Sequence, residues 1–173
     1  HRDDNEAVYF IERLIEHLNL DRGADVMDLA CGKGRHSITL FDAGFNVTGL
    51  DLSQNSIEHL KPMEREGLEF QQWDMRERFR ESAYDVVFNL FTSFGYFEEK
   101  KDDLRVIDAM HYALRENGVL VLDYLNAAPL MDNEPHVGKE ILRDGYVFNT
   151  TKKIEDGKVV KEIRVTDQGE EHE

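Results

Sequence analysis

Val8, Ile11, Leu14, Ile15 and Leu18 recur at the three- and four-residue spacing that brings side chains onto one helical face, and Asp3 with Glu6 has the form of a capping box ahead of them. The spacing predicts an amphipathic helix over 4–19. After the turn Asp21-Arg22-Gly23, a short apolar run over 24–30 predicts a strand leading into Asp28-Leu29-Ala30-Cys31-Gly32-Lys33-Gly34. Residues 35–43 then suit a helix, which Gly44 stops. Alternation over 45–52 predicts a second strand running into Asp51. Ser53 stands where an N-cap opens a third helix, reaching about Lys61, where Pro62 bends or ends it.

A short third strand follows over 68–72 and leads into Trp73-Asp74-Met75. Residues 76–84 leave little room before a very apolar fourth strand over 85–91, so a loop or single helical turn is expected there instead of a crossover helix. Leu104, Ile107, Met110, His111 and Leu114 mark another amphipathic helix with Asn117-Gly118 as its stop, and 119–125 reads as a fifth strand. Strands alternating with helices imply an α/β fold, a doubly wound and mostly parallel sheet with right-handed crossovers. Farther on, 146–153 and 158–166 are β-rich and meet at Asp156-Gly157, a strong hairpin signal. Residues 1–130 are read as one domain and 131–173 as an antiparallel β-hairpin appendage of it. That ribbon serves either as an added edge or cover for the sheet or as a lid or subunit contact.

The 173 residues are 40% hydrophobic and 10% aromatic, with 3 Pro and 12 Gly, a composition that suits a globular chain able to bury a core without staples. No apolar run approaches the roughly eighteen residues of a membrane span. The single cysteine, Cys31, rules out an internal disulfide and a zinc site built on several thiolates. A soluble protein of the reducing cytoplasm is expected, with no metal and no membrane partner. The 36 acidic residues against 21 basic ones leave a net charge of -15, which repels phosphate backbones, so nucleic acid is not an expected partner. The chain lacks an initiator Met and stops in the acidic run Gly169-Glu170-Glu171-His172-Glu173, so a fragment is expected, and a homodimer is compatible with it.

In open parallel sheets, ligands bind beyond the carboxyl ends of the strands, where the strand order reverses. The predicted strand ends share a theme. The first carries the Gly-rich loop, where missing side chains let backbone approach a ligand at the start of a helix. The second ends in Asp51, a carboxylate suited to the paired hydroxyls of a ribose. The third offers Asp74, an acceptor for an exocyclic amine, beside Met75, a flexible apolar side chain suited to a purine ring. The fourth ends in Asn89-Leu90-Phe91-Thr92-Ser93-Phe94-Gly95-Tyr96-Phe97, whose aromatic cluster is either a small-molecule wall or plain core. A phosphate-binding P-loop is excluded, because Met27 occupies its first Gly position and Gly34 follows Lys33. A dinucleotide fingerprint comes closer, with Ser37 in place of its third Gly. Asp28 decides against it, since a carboxylate just under the loop suits an ammonium group and not a pyrophosphate. A cationic, phosphate-free nucleoside is indicated.

The run Asp28-Leu29-Ala30-Cys31-Gly32-Lys33-Gly34 resembles the Asp/Glu-x-Gly-x-Gly-x-Gly signature of class I S-adenosylmethionine-dependent methyltransferases, with Ala30 at the first Gly. The likeness continues through Val47 to Ser53, Trp73-Asp74-Met75, Tyr84 to Asn89 and Gly118 to Asp123, and covers about residues 4–125. It implies the Rossmann-like methyltransferase fold, S-adenosylmethionine as cofactor, S-adenosylhomocysteine as product, and methyl transfer to an N, O or C atom of a small-molecule acceptor. It also implies roles. Asp28 and the backbone of Ala30, Cys31, Gly32 and Gly34 would hold the methionine part, Asp51 the ribose, Leu52 a face of the adenine, Asp74 and Met75 its amine and ring, and Asn89 and Leu90 the floor below the sulfonium. Family members usually add a further helix and a terminal hairpin to the sheet, which this sequence does not obviously contain. The absence of Asn/Asp-Pro-Pro-Tyr/Phe after the fourth strand argues against methylation of DNA bases or protein glutamine. Arg2, Arg35 and His36 are further contact candidates, and Tyr96, Tyr124 and His136 are candidate proton acceptors. Cys31 is expected to pack, His111 to sit on a helix face and Asp123 to serve structure. Two other readings stay open, a nicotinamide-dependent oxidoreductase and a cofactor-binding module without catalysis.

Overall fold

The chain up to Leu122 runs in the order α1 (Asp4–Leu18), β1 (Asp25–Leu29), α2 (Arg35–Asp42), β2 (Asn46–Asp51), α3 (Gln54–Leu60), β3 (Leu68–Gln72), β4 (Tyr84–Asn89), α4 (Lys100–Ala113) and β5 (Leu114–Leu122). These come from a computed structural model that describes residues 4–90, 93–124, 136–137, 141–143, 146–155, 158–167 and 170–172. Arg2, Asp3, Phe91, Thr92 and the turn Asp156-Gly157 lie outside the described residues. The chain divides into two compact units, His1–Tyr124 and Leu125–Glu173.

In the first unit the five strands form one parallel sheet in the order β3-β2-β1-β4-β5. The chain winds outward from β1 to β3, then returns to start β4 on the other side of β1. The loops after β1 and β4 therefore diverge, which opens a crevice at the carboxyl edge of the sheet. Period-two alternation feeds two cores. Val26, Val47, Val86 and Phe88 pack with Ile11, Leu40, Ile57 and Leu60 of α1, α2 and α3. Met27, Leu50 and Val87 pack with Val106, Met110 and Ala113 of α4. The expected lack of a crossover helix between β3 and β4 holds, since residues 73–83 are turns and loop. Trp73, Met75 and Phe79 from this connection pack into the second core in its place, with Trp73 edge-on to Phe79 at 5.1 Å.

Local signals act where expected at Ser53, whose hydroxyl accepts a hydrogen bond from the Ser56 N–H at 3.3 Å, and at Pro62, which sits in a 3-10 turn, Lys61–Met63, closing α3. At Asn117-Gly118 the expectation fails. The helix ends earlier, at Ala113, and Leu114 pairs at once with Tyr84. Asn117 has φ 64 and lies inside β5, where the register with β4 shifts between Tyr84 and Val86. An Asn-Gly pair signals left-handed backbone, and here a strand irregularity uses it instead of a helix stop.

The second unit is an antiparallel sheet richer than a lone hairpin. Strands β6 (His136–Val137), β8 (Tyr146–Glu155), β9 (Lys158–Asp167) and β10 (Glu170–His172) run in the order β10-β9-β8-β6, and β7 (Ile141–Arg143) also pairs with β8. The expected ribbon is its centre, paired from Tyr146 with Asp167 to Glu155 with Lys158.

Candidate functional site

Parallel register brings the strand ends to one edge: Asp28 lies beside Gly49 and Phe88, Asp51 beside Gln72, and Asn89 beside Leu122. Asp28 shares a sheet face with Val26, the face that α2 covers, and is buried. The only side-chain donor to its carboxylate among the described residues is Ser37 of α2, whose buried hydroxyl donates to Asp28 Oδ2 at 2.6 Å. Burial pushes the Asp28 carboxyl up to about 6, with Asp51 adding to the rise and Ser37 opposing it. Burial also pushes the Cys31 thiol up, helped by Asp28 and Asp51, as suits a buried, packed thiol.

The loop after β1 is held from below. The Cys31 N–H donates to Leu50 O at 2.9 Å, and the Gly34 N–H to Cys31 O at 3.0 Å. Gly34 opens α2 with φ 75, a left-handed backbone that favours glycine, and a Cβ there would lie 2.6 Å from Leu60 Cδ2, so the buried Leu60 side chain would have to shift. Ala30, at the position where the signature has Gly, also adopts a left-handed backbone, φ 63. That conformation costs an L-residue roughly 1–2 kcal/mol, against about 0.4–1 kcal/mol for the extra chain entropy of glycine. Ala30→Gly is therefore expected to stabilise the protein by about 0.5–1 kcal/mol, read from urea unfolding midpoints.

Asp51 does more than terminate β2. Its Oδ2 accepts the Gly32 N–H at 2.7 Å and its Oδ1 accepts the Ser53 N–H at 2.8 Å. One carboxylate thus ties the loop after β1 to the loop after β2, and each oxygen keeps a further lone-pair site. Neither Asp28 nor Asp51 has a cation partner among the described residues. Asn89 is fully buried and donates its Nδ2 to Leu29 O at 2.9 Å, while its Oδ1 is buried with no hydrogen-bond partner. Leu90 is buried beside it, and Leu52 is exposed.

Asp74 is placed differently from the bare acceptor that the sequence suggests. The Arg76 guanidinium clasps it through Nε to Oδ1 at 3.0 Å and Nη2 to Oδ2 at 2.6 Å, and the Arg76 N–H adds a bond to Oδ1 at 2.9 Å. This clasp holds its carboxyl below the usual range. Arg76 also pairs with Asp102 and stacks over Phe97 at 5.0 Å, which fastens the end of β3 to the start of α4. The signal for this was a basic residue two positions after the acid.

Among the aromatics, Phe94 and Phe97 pack on the second core, with Phe94 edge-on to Tyr124 at 6.1 Å, while Tyr96 and Tyr124 are exposed. His36 is buried against Phe10 of α1, their ring centroids 6.4 Å apart. His111 is exposed on α4, the side chain of His136 lies outside the described residues, and the Asp123 N–H continues the sheet by donating to Asn89 O at 2.9 Å.

A family model described as a methyltransferase domain matches residues 20–164. The chain belongs to the class I S-adenosylmethionine-dependent methyltransferases. The family match is to methyltransferases, and the oxidoreductase reading falls away. A glycine/sarcosine N-methyltransferase from Aphanothece halophytica is 31% identical over 140 residues, covering 76% of this chain and 50% of that protein. One of the same description from Halorhodospira halochloris is 31% identical over 138 residues, again covering 76% and 50%. The methyltransferase chain spans about half the length of the curated relatives it matches. Among solved structures, a S-adenosylmethionine-dependent methyltransferase from Clostridium acetobutylicum matches with a TM-score of 0.72 at 23% identity, covering 98% of this chain and 73% of that one. CalS10, an amino pentose methyltransferase from Micromonospora echinaspora solved with its methyl donor, matches with a TM-score of 0.73 at 22% identity, covering 98% and 72%. No described helix is long and apolar enough to cross a membrane.

Proposed function

We propose that this chain binds S-adenosylmethionine at the carboxyl edge of its parallel sheet and directs the methyl group to a small-molecule acceptor. The observation that carries this is the pair of carboxylates, Asp28 and Asp51, set at adjacent strand ends with no cation partner among the described residues. A cationic ligand completes such a pair, whereas a pyrophosphate meets repulsion from both. The unpartnered Asn89 Oδ1 beneath the same edge adds an acceptor where an anionic ligand needs donors.

The residues present fit the group. Asp28 and the backbone around Ala30, Cys31, Gly32 and Gly34 hold its amino-acid end, and the remaining lone pairs of Asp51 receive the ribose hydroxyls. Leu52 and Met75 line the adenine, and Leu90 with Asn89 forms the floor. Asp74, already clasped by Arg76, keeps the β3 end in place and contributes to the adenine side mainly through that position. S-adenosylmethionine supplies an activated sulfonium methyl, so the protein's work is to orient donor and acceptor and to exclude water. We assign 1–130 as the cofactor-binding domain and 131–173 as its appendage, in a cytoplasmic protein; sedimentation tests whether it forms a homodimer.

Two relatives are described as glycine/sarcosine N-methyltransferases and a structural neighbour as an amino pentose methyltransferase, which favours an amine among small acceptors. The test is methyl transfer from radiolabelled S-adenosylmethionine to a panel of small amines, alcohols and carbon acids. Product on an amine supports the reading. Tight binding of S-adenosylhomocysteine without turnover on the panel favours a binding module instead.

A further inference from the structure

Ser37 occupies the position where a dinucleotide fingerprint carries its third glycine, and no part of the proposed cofactor contact uses it directly. We propose that Ser37 is a positioning residue, whose hydroxyl keeps the Asp28 carboxylate charged and oriented toward the ammonium end of the bound nucleoside. The inference rests on the reading of Asp28 given above and goes beyond it.

The geometry is specific. Ser37 lies in the first turn of α2, nine residues beyond Asp28, and both side chains are buried, at 0% and 1% exposure. At 2.6 Å the contact has the length of a hydroxyl donating to an ionised oxygen. Among the described residues, the titratable groups whose action on Asp28 is resolved are Asp51, from the end of β2, and Cys31, from the loop after β1. Asp51 disfavours its charge, and the Cys31 thiol is neutral. β4 contributes uncharged Phe88 beside it, and α2 contributes the Ser37 hydroxyl. Among the described residues, that hydroxyl is the side-chain hydrogen-bond donor that favours the ionised carboxylate against burial and against Asp51. A glycine at 37 would leave Asp28 to take up a proton, and a protonated acid is a poor partner for an ammonium.

The test compares the unsubstituted protein with Ser37→Ala and Ser37→Thr. Two quantities are measured from pH 5 to 9: urea unfolding of the ligand-free protein and the Kd of S-adenosylhomocysteine by calorimetry. Losing one hydrogen bond to a charged group is worth about one pH unit. In Ser37→Ala the pH midpoints of both profiles should move up by about that much. Its affinity deficit should be about tenfold near pH 5, about threefold near pH 6.5 and smaller still as pH rises, and threonine, which keeps a hydroxyl, should restore both profiles. Midpoints unchanged in Ser37→Ala, or an affinity loss equal at every pH, overturn the positioning role while leaving the nucleoside site standing. If the unsubstituted protein takes no S-adenosylhomocysteine at any pH, the site reading falls and the role with it, even where the ligand-free midpoint moves.

Discussion

Asp28→Asn is expected to yield a ligand-free protein about 3 kcal/mol more stable at pH 7, the equivalent of moving a carboxyl from 3.8 to about 6 on folding. The sign follows from proton binding. The folded state holds the Asp28 proton more tightly than the unfolded chain, so this group's contribution is most favourable below pH 4. It declines through pH 4 to 6, and above pH 6 the full penalty of a buried charge is present. Asparagine keeps an acceptor for the Ser37 hydroxyl without that charge. The stabilisation should therefore vanish near pH 4, which urea titrations at the two pH values will read. Binding runs the other way. An ammonium partner favours the ionised form, so S-adenosylhomocysteine should bind the unsubstituted protein less well below pH 6, and Asp28→Asn should weaken binding roughly 10- to 100-fold at pH 7. Stability and ligand affinity moving in opposite directions on one substitution is the mark of a site that keeps a buried charge for its ligand.

Asp51→Ala is expected to weaken the same ligand by about 1.5–3 kcal/mol, through the loss of charge-assisted bonds to the ribose hydroxyls. It also leaves the Gly32 and Ser53 N–H groups without their acceptor, which uncouples the loops after β1 and β2. A stability loss of about 1 kcal/mol should accompany the affinity loss, since both N–H groups can turn to water. Asp51→Asn keeps an acceptor for one of the two and should fall between. Calorimetry and thermal unfolding on the three proteins check the ordering.

Much of this was legible along the chain, because a parallel sheet turns sequence position into spatial position. Asp28 lies near the end of one apolar run and Asp51 closes the next, and matched strands leave both at one edge. The Gly-rich loop was legible because only small residues allow backbone such as that at Gly34 beside Leu60. What was not legible depends on packing between elements. Ser37 reads as a failed glycine until α2 is laid on β1, and only then does its hydroxyl meet Asp28. Asp74 reads as a bare acceptor until Arg76 folds back on it. Asn117-Gly118 announces a backbone conformation without saying which element will use it, and the early pairing of Leu114 with Tyr84 hands it to β5. The aromatic run after β4 shows the same limit. Phe94 and Phe97 join the core, whereas Tyr96 two residues away is exposed.

The most direct measurement is isothermal titration of the protein at pH 8, separately with S-adenosylhomocysteine and with NADH. Two carboxylates facing a phosphate-free nucleoside should give saturable one-to-one heat with the first and none with the second. Saturable heat with NADH, or none with S-adenosylhomocysteine, would mean that Asp28 and Asp51 do not form the nucleoside site described here.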